Sequence, residues 1–358
     1  MKGVFLLFLI FLQTQGYSFS EARYKACLEE QAKDFIKKNN SAGLAIAVYK
    51  EALDLEKPYE KMFCFGQARR SRKMQVLEST IFRLGSLSKL FTVLVLLKYE
   101  KEGRLKLEEG VHKYFPKTFV FPAYQSTTPT LKQLVLELSG LPCFPTLPLK
   151  TSNISEIDVR NFFKNYKLSR QPGKKYEPSD LGYSCLNYLL GRMDKTSYIQ
   201  IVDKELLKPL DMQDTALDIS CSKAYRLAVG HKGIAEVADH VFQKDGSFFK
   251  STLGWSSSID DMQKLLRFLL SKNSMLSALY KADYVFEDNT FNKLSLGWKI
   301  TPLSTERQIP LYFQHVSYQG YDHFIGVLPE SREGIVILSN SSYSVIELAK
   351  KLLVELGK

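Results

Sequence analysis

Between Leu87 and Leu97 apolar residues fall on nearly every side of a helical projection: Leu87, Leu90, Phe91, Val93, Leu94, Val95 and Leu97. A helix that is apolar all round is a buried one. The spacing predicts it over residues 86–103, ending near Gly103. Residues 43–50 (Gly-Leu-Ala-Ile-Ala-Val-Tyr-Lys) form a short continuous apolar run suited to a central strand, with 61–66 as its hairpin partner. Strand patterning returns late, over 294–301, 311–316, 323–328 and 334–338. A last helix is predicted over 345–356, with Ile346, Leu348, Ala349, Leu352, Leu353 and Leu356 as its apolar positions. The middle of the chain carries helical patterns broken by Pro116, Pro122, Pro129, Pro142, Pro145, Pro148, Pro172, Pro178 and Pro209. The pattern predicts an α/β chain, an α+β sandwich whose early and late strands share one antiparallel sheet flanked by helices. Residues 21–103 and 250–358 would form that unit, and 104–249 an inserted, mostly helical domain.

The N-terminus is patterned differently. Lys2 precedes an apolar run from Val4 to Leu12, followed by Gln13, Thr14, Gln15 and Gly16. A basic start, a short apolar stretch and a small-residue exit read as a secretory signal peptide over residues 1–16, cleaved after Gly16 or Ser20. The apolar stretch is too short to span a bilayer. The chain is therefore expected to be exported, periplasmic or secreted.

Length and composition, 358 residues with 45% hydrophobic and 24% charged, are ordinary for a globular protein and exclude no class. The cysteines narrow the chemistry. Cys27, Cys64, Cys143, Cys185 and Cys221 are widely spread with no C-x-x-C pair, and the five histidines show no H-x-x-x-H spacing. A metal cluster or zinc hydrolase is disfavoured, and no metal or organic cofactor is implied. The net charge of +11, or +10 once Lys2 departs, favours an anionic cell-wall polymer or membrane surface as a neighbour. No nucleic-acid motif is present, so nucleic acid is not expected as a partner. The densest basic run (Lys164, Lys167, Arg170, Lys174, Lys175, mixed with Phe162, Phe163 and Tyr166) reads first as a solvated face.

The candidate chemistry lies at the start of the buried helix. Phe82-Arg83-Leu84-Gly85-Ser86-Leu87-Ser88-Lys89-Leu90-Phe91-Thr92 places Ser86 and Lys89 three residues apart, on one helix face. A serine hydroxyl is a weak nucleophile until a base takes its proton, and a desolvated amine beside it can do so. The Ser86 hydroxyl is expected within about 2.6–3.2 Å of the Lys89 amine. Ser247 and Lys250 repeat the spacing in a polar stretch and read as loop residues. On spacing alone, a capping serine with an outward-snorkelling lysine fits as well. What favours Ser86 is Gly85 before it and the apolar run after it, where a lysine needs a reason to be.

Several segments together resemble the β-lactamase-related family of class C β-lactamases, D-alanyl-D-alanine carboxypeptidases and related esterases. Residues 82–92 match F-x-x-G-S-x-x-K-x-F-T. Residues 130–142 resemble a leucine-rich segment ending in S-G-L-P, with Glu137 where a histidine is usual. Residues 206–215, 254–262 and 296–298 resemble P-L-G-M-x-x-T, G-x-x-S-T-x-x-D-M and G-x-G-W. The resemblance implies the serine β-lactamase-like fold, with Ser86 attacking and Lys89 as base or electrostatic partner. The family's Y-x-N motif falls on Pro178-Ser179-Asp180, so a proline stands at the tyrosine position. Ser179 is the nearest substitute hydroxyl, Asp180 a partner for Lys89, and Tyr176 the family's aromatic packing position. The third motif, K-T-G or H-T-G, reads His315-Val316-Ser317, followed by Gly320-Tyr321. Asp180 of the second motif and His315, Ser317 and Gly320 of the third are thereby implied in substrate binding, and the strand in supplying an oxyanion N–H.

The sequence therefore predicts an exported serine hydrolase acting by acyl transfer on an amide or ester. The substrate would be a small molecule or peptide, including cell-wall peptide. Pro178, Val316 and Ser317 support a second reading, a weak or inactive relative that binds cell-wall peptide or a protein partner.

Overall fold

A computed structural model describes residues 19–51, 56–146, 154–237, 248–286 and 293–358. The expected signal segment, and Ser247 of the second Ser-x-x-Lys pair, lie outside the described residues. In chain order the strands are β1 (Gly43–Lys50), β2 (Tyr59–Arg69), β3 (Met74–Gln75), β4 (Ile81–Arg83), β5 (His231–Lys232), β6 (Ala235–Glu236), β7 (Ser256–Ser258), β8 (Tyr284–Val285), β9 (Lys293–Ser295), β10 (Trp298–Pro302), β11 (Pro310–Tyr318), β12 (Tyr321–Leu328) and β13 (Glu333–Ser339). The helices are α1 (Glu21–Asn39), α2 (Lys89–Lys101), α3 (Leu131–Val135), α4 (Glu156–Asn165), α5 (Asp180–Asp194), α6 (Tyr198–Val202), α7 (Lys250–Leu253), α8 (Ile259–Leu269) and α9 (Ile346–Leu356). Lys250, read above as a loop residue, opens the short helix α7.

Among the described residues nine strands join one antiparallel sheet in the order β3-β2-β1-β13-β12-β11-β10-β9-β8. Early and late strands therefore meet at β1 and β13, with Ile46 opposite Ile337. The continuous apolar run of β1 follows from burial on both faces. Leu44, Ile46 and Val48 point into a core beneath α1 and α9, and Ala45, Ala47 and Tyr49 into the core on the other face. That second core also holds Val93 and Leu97 of α2, Leu131 of α3, Val159 of α4, Leu186 of α5 and Leu265 of α8. The middle segment thus shares a core with the sheet.

Two differences from the sequence reading matter for the site. The expected strand over 294–301 is a hairpin, broken at Leu296–Gly297, where Gly297 has φ +75°. A left-handed backbone there is open to glycine at little cost. And β10 pairs with β11 only over residues 310–313, so the edge of β11 beyond Phe313 has no strand partner on that side among the described residues. That open edge is one wall of the cleft.

The basic run behaves as a solvated face: Lys164, Lys167, Lys174 and Lys175 are exposed, Arg170 pairs with Glu177, and Phe163 turns into the core. The five cysteines are all free thiols. No group of described residues has a metal-binding arrangement, and no described helix is long and apolar enough to cross a membrane.

Candidate active site

Ser86 sits in a tight helical turn, Gly85–Ser88, that runs directly into α2. The turn is fixed from three sides. Leu84 N–H donates to the Trp255 carbonyl (2.9 Å), and the Ser88 hydroxyl to the Gly85 carbonyl (2.6 Å). Gly85 has φ +55°, and a Cβ there would lie 3.3 Å from Val316 Cγ1 on β11, so the glycine lets the turn approach the strand. Further along α2, the Thr92 hydroxyl joins Asn187 of α5 and Tyr198 of α6, each at 2.8 Å, inside the core. Ser86 is half-buried, and among the described residues its hydroxyl makes no hydrogen bond.

The expected Ser86–Lys89 hydrogen bond is therefore not formed. Lys89 turns neither to Ser86 nor to bulk solvent. Its ammonium lies 2.7 Å from Glu137 Oε1 and 2.8 Å from Asp180 Oδ1, with the Tyr183 ring centroid 5.0 Å away. Two carboxylates outbid a neutral hydroxyl for a charged donor. Burial pushes the Lys89 amine down, but Glu137 and Asp180 more than reverse this and hold it well above the ordinary lysine range. At neutral pH Lys89 is an ammonium, with no lone pair to take a proton.

Glu137 is the site residue that the sequence reading passed over. It follows α3 with φ +57°, a left-handed backbone rare outside glycine. Its carboxylate accepts from Lys89 Nζ (2.7 Å), the Tyr176 hydroxyl (3.0 Å) and Ser179 N–H (3.1 Å). Burial pushes this carboxyl up; the Lys89 charge and these hydrogen bonds overcome it and hold the group below its usual range. The one signal in the sequence was a carboxylate standing where the resembled family carries a histidine. Tyr176, read as a packing residue, lines the cleft, and burial followed by Glu137 drives its phenol upward.

The cleft encloses about 200 Å³, below the ~300–1,000 Å³ usual for ligand sites. Ser86, Lys89, Glu137, Tyr176, Pro178, Trp298, Lys299, Gln314 and Val316 all reach it. The other expected site residues fare differently. Asp180 meets Lys89 as expected. Ser179 does not line the cleft: its hydroxyl caps α5, accepting from Gly182 N–H (3.0 Å) and donating to the Pro142 carbonyl (2.8 Å). His315 borders the cleft through its strand, but its ring belongs to the opposite face of the sheet. It is paired in register with Phe324, in the core beneath α1 and α9, and its Nε2 lies 2.9 Å from Asp322 Oδ1. A carboxylate only accepts, so Nε2 carries the proton. Ser317 is exposed and, two residues on, shares His315's face. Gly320 (φ +84°) makes the β11–β12 turn with Gln319 and packs on Gly230–His231, where a Cβ would lie 2.5 Å from His231 N. Ser317 and Gly320 are thus a surface and a turn residue, outside the cleft lining.

Two outcomes follow. Glu137 has its carboxyl lowered by folding, so its stabilisation is present above its unfolded pKa, about 4.3, and is lost as pH falls through the lower folded value. Glu137→Gln should flatten the loss of stability below about pH 4.5 and cost on the order of 3 kcal/mol at pH 7, where Lys89 loses one of two buried partners. Urea unfolding at pH 3–7 checks this; an unchanged acid slope would contradict the pairing. Ser179→Ala should lower stability by about 1 kcal/mol, the usual worth of an N-cap, without slowing any reaction at Ser86.

Comparison with known proteins agrees with this geometry. The family model named Beta-lactamase matches residues 28–356. Protein flp of Staphylococcus aureus (strain MW2) is 26% identical over 277 residues, covering 75% of this chain and 54% of that protein. The D-alanyl-D-alanine-carboxypeptidase/endopeptidase AmpH of Escherichia coli (strain K12) is 27% identical over 173 residues, 47% of this chain and 45% of that one. The chain thus spans about half the length of these curated relatives. The crystal structure of a β-lactamase/D-alanine carboxypeptidase from Yersinia pestis superposes with a TM-score of 0.82 at 19% identity, covering 95% of this chain and all of that one. A helix-flanked antiparallel sheet, a serine–lysine turn at its cleft and a family match over nearly the whole length lead to one assignment: the chain belongs to the Beta-lactamase family.

Proposed function

We propose that the protein is an exported serine hydrolase that acts by acyl transfer on a small ester or amide, with Ser86 as nucleophile. The observation that carries this reading is the cleft itself. It gathers Ser86, an ammonium at Lys89 and the open edge of β11 into one small space. The Ser86 N–H lies in the first turn of a helical segment, where backbone donors and the helix dipole favour negative charge. Together with an N–H from the β11 edge it would hold the oxyanion of a tetrahedral intermediate. The Lys89 ammonium lines the same cleft and is held there by Glu137 and Asp180. Its role here is electrostatic, the second of the two roles that the sequence left open.

The acyl group would be small, because the cleft is narrow and walled by Tyr176 and Trp298. Short acyl esters and peptide-like substrates, D-alanyl peptides among them, suit it. Pro178 supplies no acid or base, so esters, whose leaving groups need less protonation, should react faster than the matching amides. The apolar run after Lys2 supports export, and the charge of +11 supports contact with an anionic cell-wall or membrane surface.

A fluorophosphonate or labelled β-lactam should add one adduct to the intact protein by mass spectrometry, and Ser86→Ala should abolish it. A label retained in Ser86→Ala would place the nucleophile elsewhere. No label on the folded wild type would favour the binding-only reading.

A further inference from the structure

We infer that His323 is a positioning residue for Ser86: its imidazole stands in for a missing strand beside β4 and, through the Arg83 carbonyl, sets the turn that presents the serine. The inference rests on the reading above that Ser86 is the nucleophile.

The register places His323 on the side of the sheet that Ser86 occupies. On β12 it lies opposite Val316 of β11 and Leu338 of β13. Residues opposite one another across a ladder share a face. Leu338 belongs to the core that holds α2, and Val316 packs on that core and lines the cleft. Val316 is also the residue that a Cβ on Gly85 would approach to 3.3 Å. His323 itself is buried.

The strand that leads into the Ser86 turn needs it. On one side β4 pairs with β7, Arg83 lying opposite Ser256, and Leu84 N–H continues to the Trp255 carbonyl. On the other side the Ile81 carbonyl accepts from Ala228 N–H (2.8 Å). That neighbouring chain then leaves β4, because Val229 N–H donates to the Ala68 carbonyl of β2. Carbonyls two residues apart in a strand point to the same edge. The Arg83 carbonyl, next on the edge that Ala228 has left, is met by His323 Nε2 at 2.7 Å. A buried carbonyl is costly to leave unpaired, so the ring does there what a third strand would do.

The other ring nitrogen fixes the tautomer. Ser339 N–H donates to His323 Nδ1 (3.2 Å), and a backbone N–H can only donate, so Nδ1 is bare and Nε2 carries the proton. Ser339 belongs to β13 and lies opposite Leu44 of β1. One imidazole thus ties the middle of the nine-stranded sheet to the backbone three residues before Ser86. Phe82 stands edge-on to the ring, and Tyr321 packs beside it with its hydroxyl on the Ala228 carbonyl (2.7 Å). The charged or titratable groups on the packed strands are Arg83 on β4, His315 on β11 and Asp322 on β12; β13 brings none over residues 335–339. Burial pushes the imidazole down to about 4, the Arg83 bond and Asp322 opposing and His315 adding. The ring is therefore a neutral donor at neutral pH.

The experiment compares wild type with His323→Leu, which removes the donor, His323→Gln, which keeps an N–H at similar reach, and Phe324→Leu, the next residue, which weakens the core beneath α1 and α9 instead. Melting curves rank their stabilities. Hydrogen exchange of the Leu84 and Leu87 amides, bonded to the Trp255 and Leu84 carbonyls, reports on the turn. Fluorophosphonate labelling of Ser86, followed against probe concentration, separates the maximal rate from the half-saturating concentration. His323→Leu should speed exchange in the turn and lower the maximal rate by about 10–10²-fold, as misplacement of a reacting group does, with the half-saturating concentration little changed. His323→Gln should recover most of both. Phe324→Leu should melt earlier yet keep wild-type exchange in the turn and wild-type labelling. Wild-type exchange and labelling in His323→Leu would overturn the inference. His323→Gln as impaired as His323→Leu would make the ring a space-filler and overturn it equally. Should His323→Leu not fold, nitrogen-15 NMR of the wild-type ring at pH 7 decides: protonated Nε2 with bare Nδ1 is expected, and the opposite tautomer contradicts it. A wild type that never labels at Ser86 would defeat the hydrolase reading, and the exchange measurements would still judge the role of His323.

Discussion

The architecture of the cleft depends on one buried cation. Lys89 begins α2 inside the core, and its ammonium is shared by Glu137, just after α3, and Asp180, at the start of α5. These residues are far apart in the chain, Glu137 lying 48 positions and Asp180 91 positions beyond Lys89. An unpaired charge at this depth would cost several kcal/mol, so the fold is held to an arrangement that brings both carboxylates to it. Glu137 adopts a left-handed backbone to do so, and its second oxygen takes Tyr176. The pairing thus fixes three walls of the cleft at once and leaves Ser86, half-buried, facing the space between them.

The same pairing changes how the chemistry is read. Ser-x-x-Lys suggests an amine that deprotonates its serine. Here two carboxylates keep the lysine charged, so it holds no lone pair for the serine proton. The tyrosine position of the second motif is a proline, and the adjacent hydroxyl is committed to capping α5. The histidine of the third motif faces the terminal helices. Each motif keeps its place in the fold while its side chain takes up structural work.

Much of the fold was legible because it follows local rules. A run apolar at every position, as in β1, fits only a strand covered on both faces, and the structure covers it so. The all-apolar stretch after Lys89 gave the buried helix, and Gly103 at φ +70° its end. The hairpin at Leu296–Gly297 was missed because apolar alternation continues across it and one glycine is a weak break. Of the candidate site, Ser86, Lys89 and Asp180 were legible from register. Glu137 was not, because a charged residue in a loop reads as solvated until long-range packing brings another charge beside it. His315 was assigned to the cleft by register alone. Which face its ring takes depends on the two-residue period of β11 and on Asp322 across the hairpin.

The account rests on Lys89 being a permanent cation in the folded protein. Carbon-13 labelling at the lysine Cε positions, with Lys89→Arg for assignment, lets NMR follow its titration directly. The resonance of Lys89 is expected to stay that of an ammonium beyond pH 10.5, the ordinary range of lysine. Titration of Lys89 near neutral pH would contradict the account and return the role of base to the lysine beside Ser86.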